Sequence, residues 1–150
     1  MADGARQFCT FHLDNHYFGV DVLDVQEVIR FQAMTRVPLA PAVVDGLINL
    51  RGQIVTALDL RLRLDLPERP DDRQPMNVVV RTEDGPVSFL VDEIGDVLEV
   101  SDDVFEPVPE TLHGLPADLI EGVYKLEDRL LLVLDTAKAA HIGLAAAVAD

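Results

Sequence analysis

A polar and charged pair interrupts the otherwise apolar run at residues 46–55. Asn49 and Arg51 lie two positions apart, so on a strand they share a face. Arg51 and Gly52 supply a tight turn, because glycine permits a positive φ. Glu27 is the carboxylate that could hold the Arg51 guanidinium in a fixed fork, a geometry suited to recognising a partner. The pattern predicts an Arg51–Glu27 ion pair at a partner surface, with a solvent-facing hairpin as the alternative.

Covalent catalysis has few candidate groups in this sequence. There is no Gly-rich phosphate loop and no Gly-x-Ser-x-Gly elbow, and the only serines are Ser88 and Ser101. The single cysteine, Cys9, excludes an internal disulfide and a cysteine-based metal cluster. Its place in an apolar run predicts a packed small hydrophobe. We expect no catalytic residues and no cofactor, and a small β-barrel hydrolase or metal-dependent enzyme is the remote alternative.

Histidines could instead hold a metal ion. His12 and His16 flank a two-residue turn candidate at residues 14–15, and a site there would need a third ligand such as Asp14. In a two-residue hairpin, however, His12 and His16 fall on opposite faces. We therefore expect no metal. The acidic pairs at residues 71–72 and 102–103 are typical of a solvated surface, although spacing alone leaves paired catalytic carboxylates open.

Composition narrows the class of protein further. The 150 residues suit one domain or two very small lobes that share a core. Apolar residues make up 49% and charged residues 26%, as in globular proteins. A net charge of −15 disfavours binding to nucleic acid or to anionic lipid. No apolar run approaches the roughly 20 residues of a membrane-spanning helix, and the N-terminus has no signal-peptide pattern. We expect a soluble protein of the cytoplasmic type without direct membrane insertion.

The elements that must position these groups are mostly β. Alternating or apolar runs separated by turn residues predict strands, and such spacing suggests barrels or sandwiches. The alanine-rich tail at 135–149 predicts a C-terminal helix with Asp135 or Thr136 as its N-cap. The predicted strands are 7–13, 16–20, 46–51, 53–58, 76–82, 86–92, 97–100, 119–125 and 129–134.

The sequence also repeats itself. Residues 44–50 align with 120–126 and residues 54–59 with 130–135, an offset of 76, while 18–21 align with 89–92 at an offset of 71. Identities are few, so a chance match of two β-rich halves is the alternative. The matched order predicts two similar lobes, at about 14–70 and 76–140. The N-terminal strand could join the second lobe, and 141–150 form a tail.

In the Asn49–Gly52 hairpin and in the segments around it, the sequence resembles the CheW family, the adaptors of bacterial chemosensory arrays. The resemblance covers about residues 7–140, which would then form a single domain, and it departs from the family at Thr56, where proline is common. It rests most specifically on the Asn-Leu-Arg-Gly hairpin at 49–52 followed by Asp-Leu-Arg at 59–61. The remaining matches are 17–22, 25–29, 46–48, 54–55, 89–92, 97–98 and 131–135.

The resemblance implies a mostly β fold of two packed SH3-like five-stranded β-barrels with a C-terminal helix. It implies a non-catalytic scaffold in the cytoplasm, associated with membrane-bound receptor arrays. The implied partners are the regulatory domain of a CheA-type histidine kinase and the cytoplasmic tip of a methyl-accepting chemoreceptor. Kinase binding is expected mainly on the first lobe and receptor binding in the groove between lobes. An adaptor of a non-flagellar pathway, for surface motility or development, is the alternative within this class.

Site residues follow from the matched positions. Glu27 and Arg51 match the functional Glu–Arg pair of the family, and Gly46 matches a glycine important for partner contact. Asn49 and Gly52 belong to the same hairpin surface. Apolar positions near the receptor groove correspond to Val22, Val25, Ile54, Leu90 and Val91, and for each of these core packing is an equal alternative.

Overall fold

The computed structural model describes residues 5–70, 72–101, 105–109 and 114–141. The strands in these ranges are β1 (Ala5–Leu13), β2 (His16–Asp21), β3 (Val25–Ile29), β4 (Val44–Leu50), β5 (Gln53–Asp59), β6 (Met76–Thr82), β7 (Gly85–Val91), β8 (Glu93–Ser101), β9 (Phe105–Glu106), β10 (Ile120–Lys125) and β11 (Leu130–Leu134). Two short helices, α1 (Leu60–Arg63) and α2 (Thr136–Ala140), follow β5 and β11. Single 3-10 turns lie at Val22–Asp24 and Ala117–Leu119. No helix in these ranges has the length and apolar character needed to cross a membrane.

The strands form two sheets, and the predicted mostly β fold is confirmed. One sheet has six strands in the order β8-β1-β2-β11-β10-β9, and the other has five in the order β3-β6-β7-β5-β4. We call them, with the helices that follow them, the six-stranded lobe and the five-stranded lobe. Within the described ranges neither sheet closes on itself, and only one has the predicted five strands. The SH3-like description fits the two lobes, although the strands of neither lobe form a closed barrel.

Both sheets follow the same strand order, which confirms the internal repeat. The hairpin β4–β5 and helix α1 correspond to the hairpin β10–β11 and helix α2, and the first helix is capped by Asp59 as the second is by Asp135. Even an isolated pairing is repeated. Thr35 pairs with Leu47. The equivalent residues of the second repeat, Glu106 at an offset of 71 and Val123 at an offset of 76, pair in the same antiparallel way.

The division of the chain differs from the predicted lobes 14–70 and 76–140. Each sheet mixes strands of both repeats, two from the first and four from the second in the six-stranded sheet, and three from the first and two from the second in the five-stranded sheet. The mixing arises because β3 leaves β2 to pair with β6, and β8 leaves β7 to pair with β1. The N-terminal strand β1 lies in the same sheet as the late strands β8, β10 and β11. Similar strands can pair equally well with either copy, so sequence similarity alone does not indicate the exchange.

Each lobe has its own small core, and a larger core lies between them. Alternation along the strands directs one face of each sheet into the shared core and the other into its own lobe. Fully buried members of the shared core include Phe11, Phe18, Leu58, Phe89 and Leu132. The six-stranded lobe encloses Phe8, Tyr17, Tyr124, Leu131 and Val133. The five-stranded lobe encloses Ile48, Val55, Ala57, Val79 and Leu90.

The predicted C-terminal helix begins as expected and is short. The Asp135 side chain accepts a hydrogen bond from the Lys138 N–H at 3.0 Å, so Asp135 is the N-cap. The helix α2 ends at Ala140, and the remainder of the predicted span, from residue 142 onward, lies outside the described residues.

Candidate functional site

The hairpin between β4 and β5 has a two-residue turn, as predicted. Leu50 pairs with Gln53, and the residues between them have positive φ angles, 53° at Arg51 and 88° at Gly52. This is the pattern of a type I′ turn, whose twist matches that of the flanking strands. The Asn49 side-chain oxygen accepts the Gly52 N–H at 2.8 Å. Asn49 therefore holds the turn that presents Arg51.

Arg51 binds Glu27 through two parallel hydrogen bonds. Nη1 donates to Oε2 at 2.9 Å and Nη2 donates to Oε1 at 2.8 Å. The predicted ion pair is thus formed, with the bidentate geometry that a guanidinium and a carboxylate favour. The Arg51 side chain is 77% exposed, whereas that of Glu27 is 17% exposed. The arginine is the outer, accessible member of the pair.

Glu27 lies on the inner face of β3. It pairs across the sheet with buried Val79, and its neighbours at alternate positions, Val25 and Ile29, pack against apolar cores. Hydrogen bonds from Arg51 lower the pKa of Glu27, and the same contact raises the pKa of Arg51. The pair stays charged at neutral pH.

Gly46 allows two chain segments to approach closely. A Cβ atom there would lie 2.9 Å from the Met34 Cβ and 2.9 Å from the Thr35 carbonyl oxygen. Thr35 and Leu47 exchange two backbone hydrogen bonds at this point, each 2.8 Å long. Gly46 is buried. Its direct role in the structure is to admit the segment that crosses β4, so any effect on a partner would act through that segment.

The five apolar candidates divide into exposed and buried groups. Ile54 is 60% exposed, and Val22 and Val25 are half-buried. Leu90 is 1% exposed, in the core of the five-stranded lobe, and Val91 is 0% exposed, in the shared core. For Leu90 and Val91 the structure agrees with the alternative of core packing, and a role in partner contact stays a prediction.

Two exposed leucines were not predicted from the sequence. Leu23 is 80% exposed in the 3-10 turn after β2, and Leu39 is 95% exposed in the loop between β3 and β4. The loop turns at Leu39, where the Ala40 N–H donates to the Val37 carbonyl oxygen at 3.2 Å. The exposure of Leu39 could have been predicted from its position between Pro38 and Pro41, since a proline-rich loop tends to lie on the surface.

The candidate catalytic serine is held in a structural contact, and the candidate histidines lie in the β1–β2 hairpin. Ser88 is fully buried and donates to the Asn77 side-chain oxygen at 2.7 Å. His12 lies opposite Tyr17, and His16 lies opposite Leu13, so the predicted two-residue turn at 14–15 is confirmed and the two histidines fall on opposite faces. Burial and the nearby Asp21 raise the pKa of the Cys9 thiol. The described ranges contain no group of three or more metal-ligating side chains, and His113, Asp71, Asp102 and Asp103 lie outside them.

Comparisons with known proteins agree with this geometry. A family model described as the CheW-like domain matches residues 7–142. The chain is 32% identical over 140 residues to "Chemotaxis protein CheW" of Treponema pallidum (strain Nichols), covering 91% of this chain and 82% of that protein. It is 33% identical over 130 residues to "Chemotaxis protein CheW" of Bacillus subtilis (strain 168), covering 87% and 83%.

A solved structure has a similar fold. The crystal structure of scaffolding protein TtCheW from Thermoanaerobacter tengcongensis superposes with a TM-score of 0.82 at 24% sequence identity. The match covers 91% of this chain and 88% of that one. The arrangement of two sheets described above is therefore shared with a known scaffolding protein.

Proposed function

The chain belongs to the CheW-like domain family, and from that membership we propose that it joins a CheA-type histidine kinase to chemoreceptors. A chemotaxis scaffold or adaptor is the role that the family match gives directly. The finer proposal concerns the partners: the regulatory domain of the kinase and the cytoplasmic tip of a methyl-accepting chemoreceptor. The protein would then lie in the cytoplasm, associated with membrane-bound receptor arrays.

The observation that carries the proposal is the Glu27–Arg51 pair. An arginine that is 77% exposed, yet oriented by two hydrogen bonds and by a strained turn, is poorly explained as a stabiliser of the fold. An oriented guanidinium suits recognition of a carboxylate or a carbonyl group on another protein. Interface anchors are enriched in arginine for this reason.

We assign the two partners to different surfaces. The kinase would contact the five-stranded lobe near the β4–β5 hairpin, where Asn49, Arg51 and Gly52 are exposed. The receptor tip would occupy the groove between the lobes, with Ile54, Val22 and Val25 as the apolar surface that it contacts. Leu90 and Val91 would support this surface from within. An amphipathic helix that lies in an apolar groove is a common mode of recognition.

Function by binding rather than by catalysis fits these contacts. Ser88 is buried against Asn77, and the exposed surface at Arg51 is organised around an ion pair rather than around an acid and a base of separated pKa. Signals would pass as shifts among states of the complex. No observation supports the enzyme alternative. The curated relatives named above have chemotaxis names, and nothing here favours the non-flagellar alternative.

Binding of the full chain to the two partner fragments tests the proposal. The kinase regulatory domain and a receptor tip fragment from the same cell would each be titrated with the wild-type protein by isothermal calorimetry. We expect a one-to-one complex with each fragment, and activation of the kinase when all three proteins are present. Absence of binding to both fragments would contradict the proposal.

A further inference from the structure

A buried ion pair lies where the chain passes from one lobe to the other. Arg61, in α1, donates from Nε to the two carboxylate oxygens of Asp92 at 2.9 and 3.1 Å, and its Nη2 donates to the same carboxylate. Asp92 stands between β7 of the five-stranded lobe and β8 of the six-stranded lobe. The two side chains are only 9% and 5% exposed. The pair is therefore at the crossover itself.

The same network reaches the six-stranded lobe. The Asp92 carboxylate accepts the backbone N–H of Asp14, in the β1–β2 turn, at 2.8 Å. The backbone N–H of Asp92 donates to the carbonyl oxygen of His12 at 3.1 Å. Arg61 Nη1 donates to the carbonyl oxygens of Pro67 and Glu68 at 2.9 and 3.2 Å. One guanidinium thus connects α1, the crossover, a turn of the other lobe and the connection between repeats.

A second arginine of α1, Arg63, also forms contacts with the six-stranded lobe. Arg63 donates from Nε to the Ala139 carbonyl oxygen at 3.1 Å, and from Nη2 to the carbonyl oxygens of Lys138 and His141, each at 3.0 Å. These are the last carbonyl groups of α2, which belongs to the six-stranded lobe. An arginine that binds the end of a helix satisfies carbonyl groups that the helix leaves unpaired. Both arginines of α1 therefore take part in contacts between the lobes, Arg63 directly and Arg61 through Asp92.

The equivalent crossover in the first repeat is built differently. Asp21 corresponds to Asp92, but its partner is Arg6 at 3.2 Å, and their side chains are 26% and 28% exposed. Arg6 and Asp21 lie on β1 and β2 of one sheet, so their ion pair does not connect the lobes. The position equivalent to Arg61 holds Ala137. The internal repeat supplies a natural comparison, and only the Asp92 crossover carries an ion pair that connects the two lobes.

We propose that Arg61 is a positioning residue whose ion pair with Asp92 fixes the two lobes relative to each other. A buried ion pair is weak evidence for stability, because desolvation offsets much of its attraction. It does impose geometry, since Nε and Nη2 of Arg61 both hold the Asp92 carboxylate while Nη1 holds the carbonyl oxygens of Pro67 and Glu68. The consequence for binding rests on the proposed function: the groove between the lobes would keep the width that a receptor tip requires.

Distances between the lobes test the geometric claim. Spin labels would be placed in the Cys9→Ala background at the exposed positions Gln53→Cys and Glu127→Cys, one in each lobe. A label pair within the five-stranded lobe, Gln53→Cys with Glu83→Cys, serves as the internal reference. Double electron–electron resonance spectroscopy then gives each distance distribution in the wild type and in variants of the ion pair.

The decisive variant replaces both charges with apolar side chains, Arg61→Met with Asp92→Leu. Because no uncompensated charge remains, its melting temperature should recover most of the loss seen for Arg61→Met alone. We expect the distance between lobes to shift by about 2 Å or to broaden correspondingly, while the reference distance is unchanged. Arg6→Met, which removes the ion pair of the other crossover, should leave both distances unchanged.

Arg61→Lys is the safer second variant, because it keeps the charge but its single nitrogen cannot reach Asp92, Pro67 and Glu68 together. We expect a smaller shift or broadening in the distance between lobes. A wild-type distance between lobes in either folded variant would overturn the proposal and leave the network a stabilising contact only.

Binding then separates this inference from the proposed function. In the double variant, affinity for the receptor tip should fall about tenfold, while affinity for the kinase domain changes by less than about twofold. Unchanged receptor affinity together with a shifted distance would overturn the claim about the groove. A wild-type protein that binds neither fragment would contradict the proposed function, and the distances would still decide the role of Arg61.

Discussion

Glu27 and Arg51 join the two opposite edges of the five-stranded sheet. Glu27 lies on β3, the first strand of the sheet order, and Arg51 lies in the turn that ends β4, the last strand. Where a closed barrel would have backbone hydrogen bonds between its first and last strands, this lobe has a bidentate ion pair. The contact is therefore a link across the opening of the lobe, and it places an exposed, oriented charge on the surface.

Removal of the guanidinium should affect binding more than folding. In Arg51→Ala we expect a melting temperature close to that of the wild type, because a solvent-exposed ion pair contributes little to stability. Affinity for the kinase fragment should fall by about thirtyfold, as for an anchor residue at an interface. Thermal unfolding and calorimetric titration measure the two effects on the same preparation.

A control is available at Arg73, whose ion pair with Glu93 is exposed on both sides, at 56% and 61%. Arg73→Ala should leave both melting temperature and affinity unchanged. Wild-type binding by folded Arg51→Ala would make Arg51 an ordinary surface arginine, and a large loss of melting temperature would make it structural. The exchanged pair, Glu27→Arg with Arg51→Glu, should keep the fold but not restore binding, since the outer charge is reversed.

Gly46→Ala should destabilise the five-stranded lobe. The added methyl would meet the Met34 Cβ and the Thr35 carbonyl oxygen at 2.9 Å, and the Thr35 segment would have to move away from β4. Overpacking of this kind costs about 1–3 kcal/mol. Urea unfolding measures the loss. Gly52→Asn is the control, because a Cβ there would meet no atom within 4 Å and its cost is only that of a side chain at a positive φ, which asparagine accepts more readily than most residues. We expect a smaller loss than for Gly46→Ala, and equal stability of the two variants would contradict the steric explanation.

Stability should depend on the ionisation of Asp92 in acid. Burial raises the pKa of Asp92, but the hydrogen bonds from Arg61 and from the Asp14 N–H, with the charge of Arg61, outweigh it and lower the pKa below its usual value. A carboxyl group with a lowered pKa in the folded state stabilises the protein above its unfolded pKa of about 3.9, and this stability is lost as the pH falls through the folded value.

Urea unfolding between neutral pH and pH about 3 checks this expectation. Asp92→Asn should cost about 3–5 kcal/mol at neutral pH, because it leaves the Arg61 charge buried without a counter-ion. Its stability should then fall less steeply than that of the wild type below pH about 4. Glu127→Gln, at an exposed position, is the control and should follow the wild type. If the stability of Asp92→Asn and that of the wild type fall equally steeply below pH about 4, the ionisation of Asp92 is not the cause of the acid destabilisation.

The Cys9 thiol should react slowly in the folded protein. Burial raises its pKa, with a further contribution from Asp21, so less thiolate is present at pH about 8. We expect alkylation by iodoacetamide to be at least about tenfold slower than at an exposed cysteine, such as Gln53→Cys in the Cys9→Ala background. Mass spectrometry follows both reactions. The two rates should become equal in concentrated urea, and equal rates in buffer would be inconsistent with the burial described here.

Local features of the fold could be predicted from the sequence. The turns at residues 14–15 and at Arg51-Gly52 were identified from residue types that adopt positive φ, and Asp135 was identified as an N-cap from its side chain. The repeat predicted the common strand order, and the isolated polar pair in an apolar hairpin led to Arg51 and its partner Glu27. These features depend on interactions within a few residues, or on one charge that needs another, and both leave a pattern in the sequence.

The tertiary structure decided which copy each strand joins and which side chains it covers. β3 and β8 exchange between repeats, Leu90 and Val91 become core residues, and Arg61 finds Asp92 thirty-one positions away. None of these has a local signal in the sequence. The strands β1 and β6 are both apolar, and each could pair with β3 or with β8. Nothing in the sequence around Arg61 distinguishes it from the exposed arginines near it. Pairing between distant segments depends on the total surface that the whole chain can bury, and only the assembled fold determines that sum.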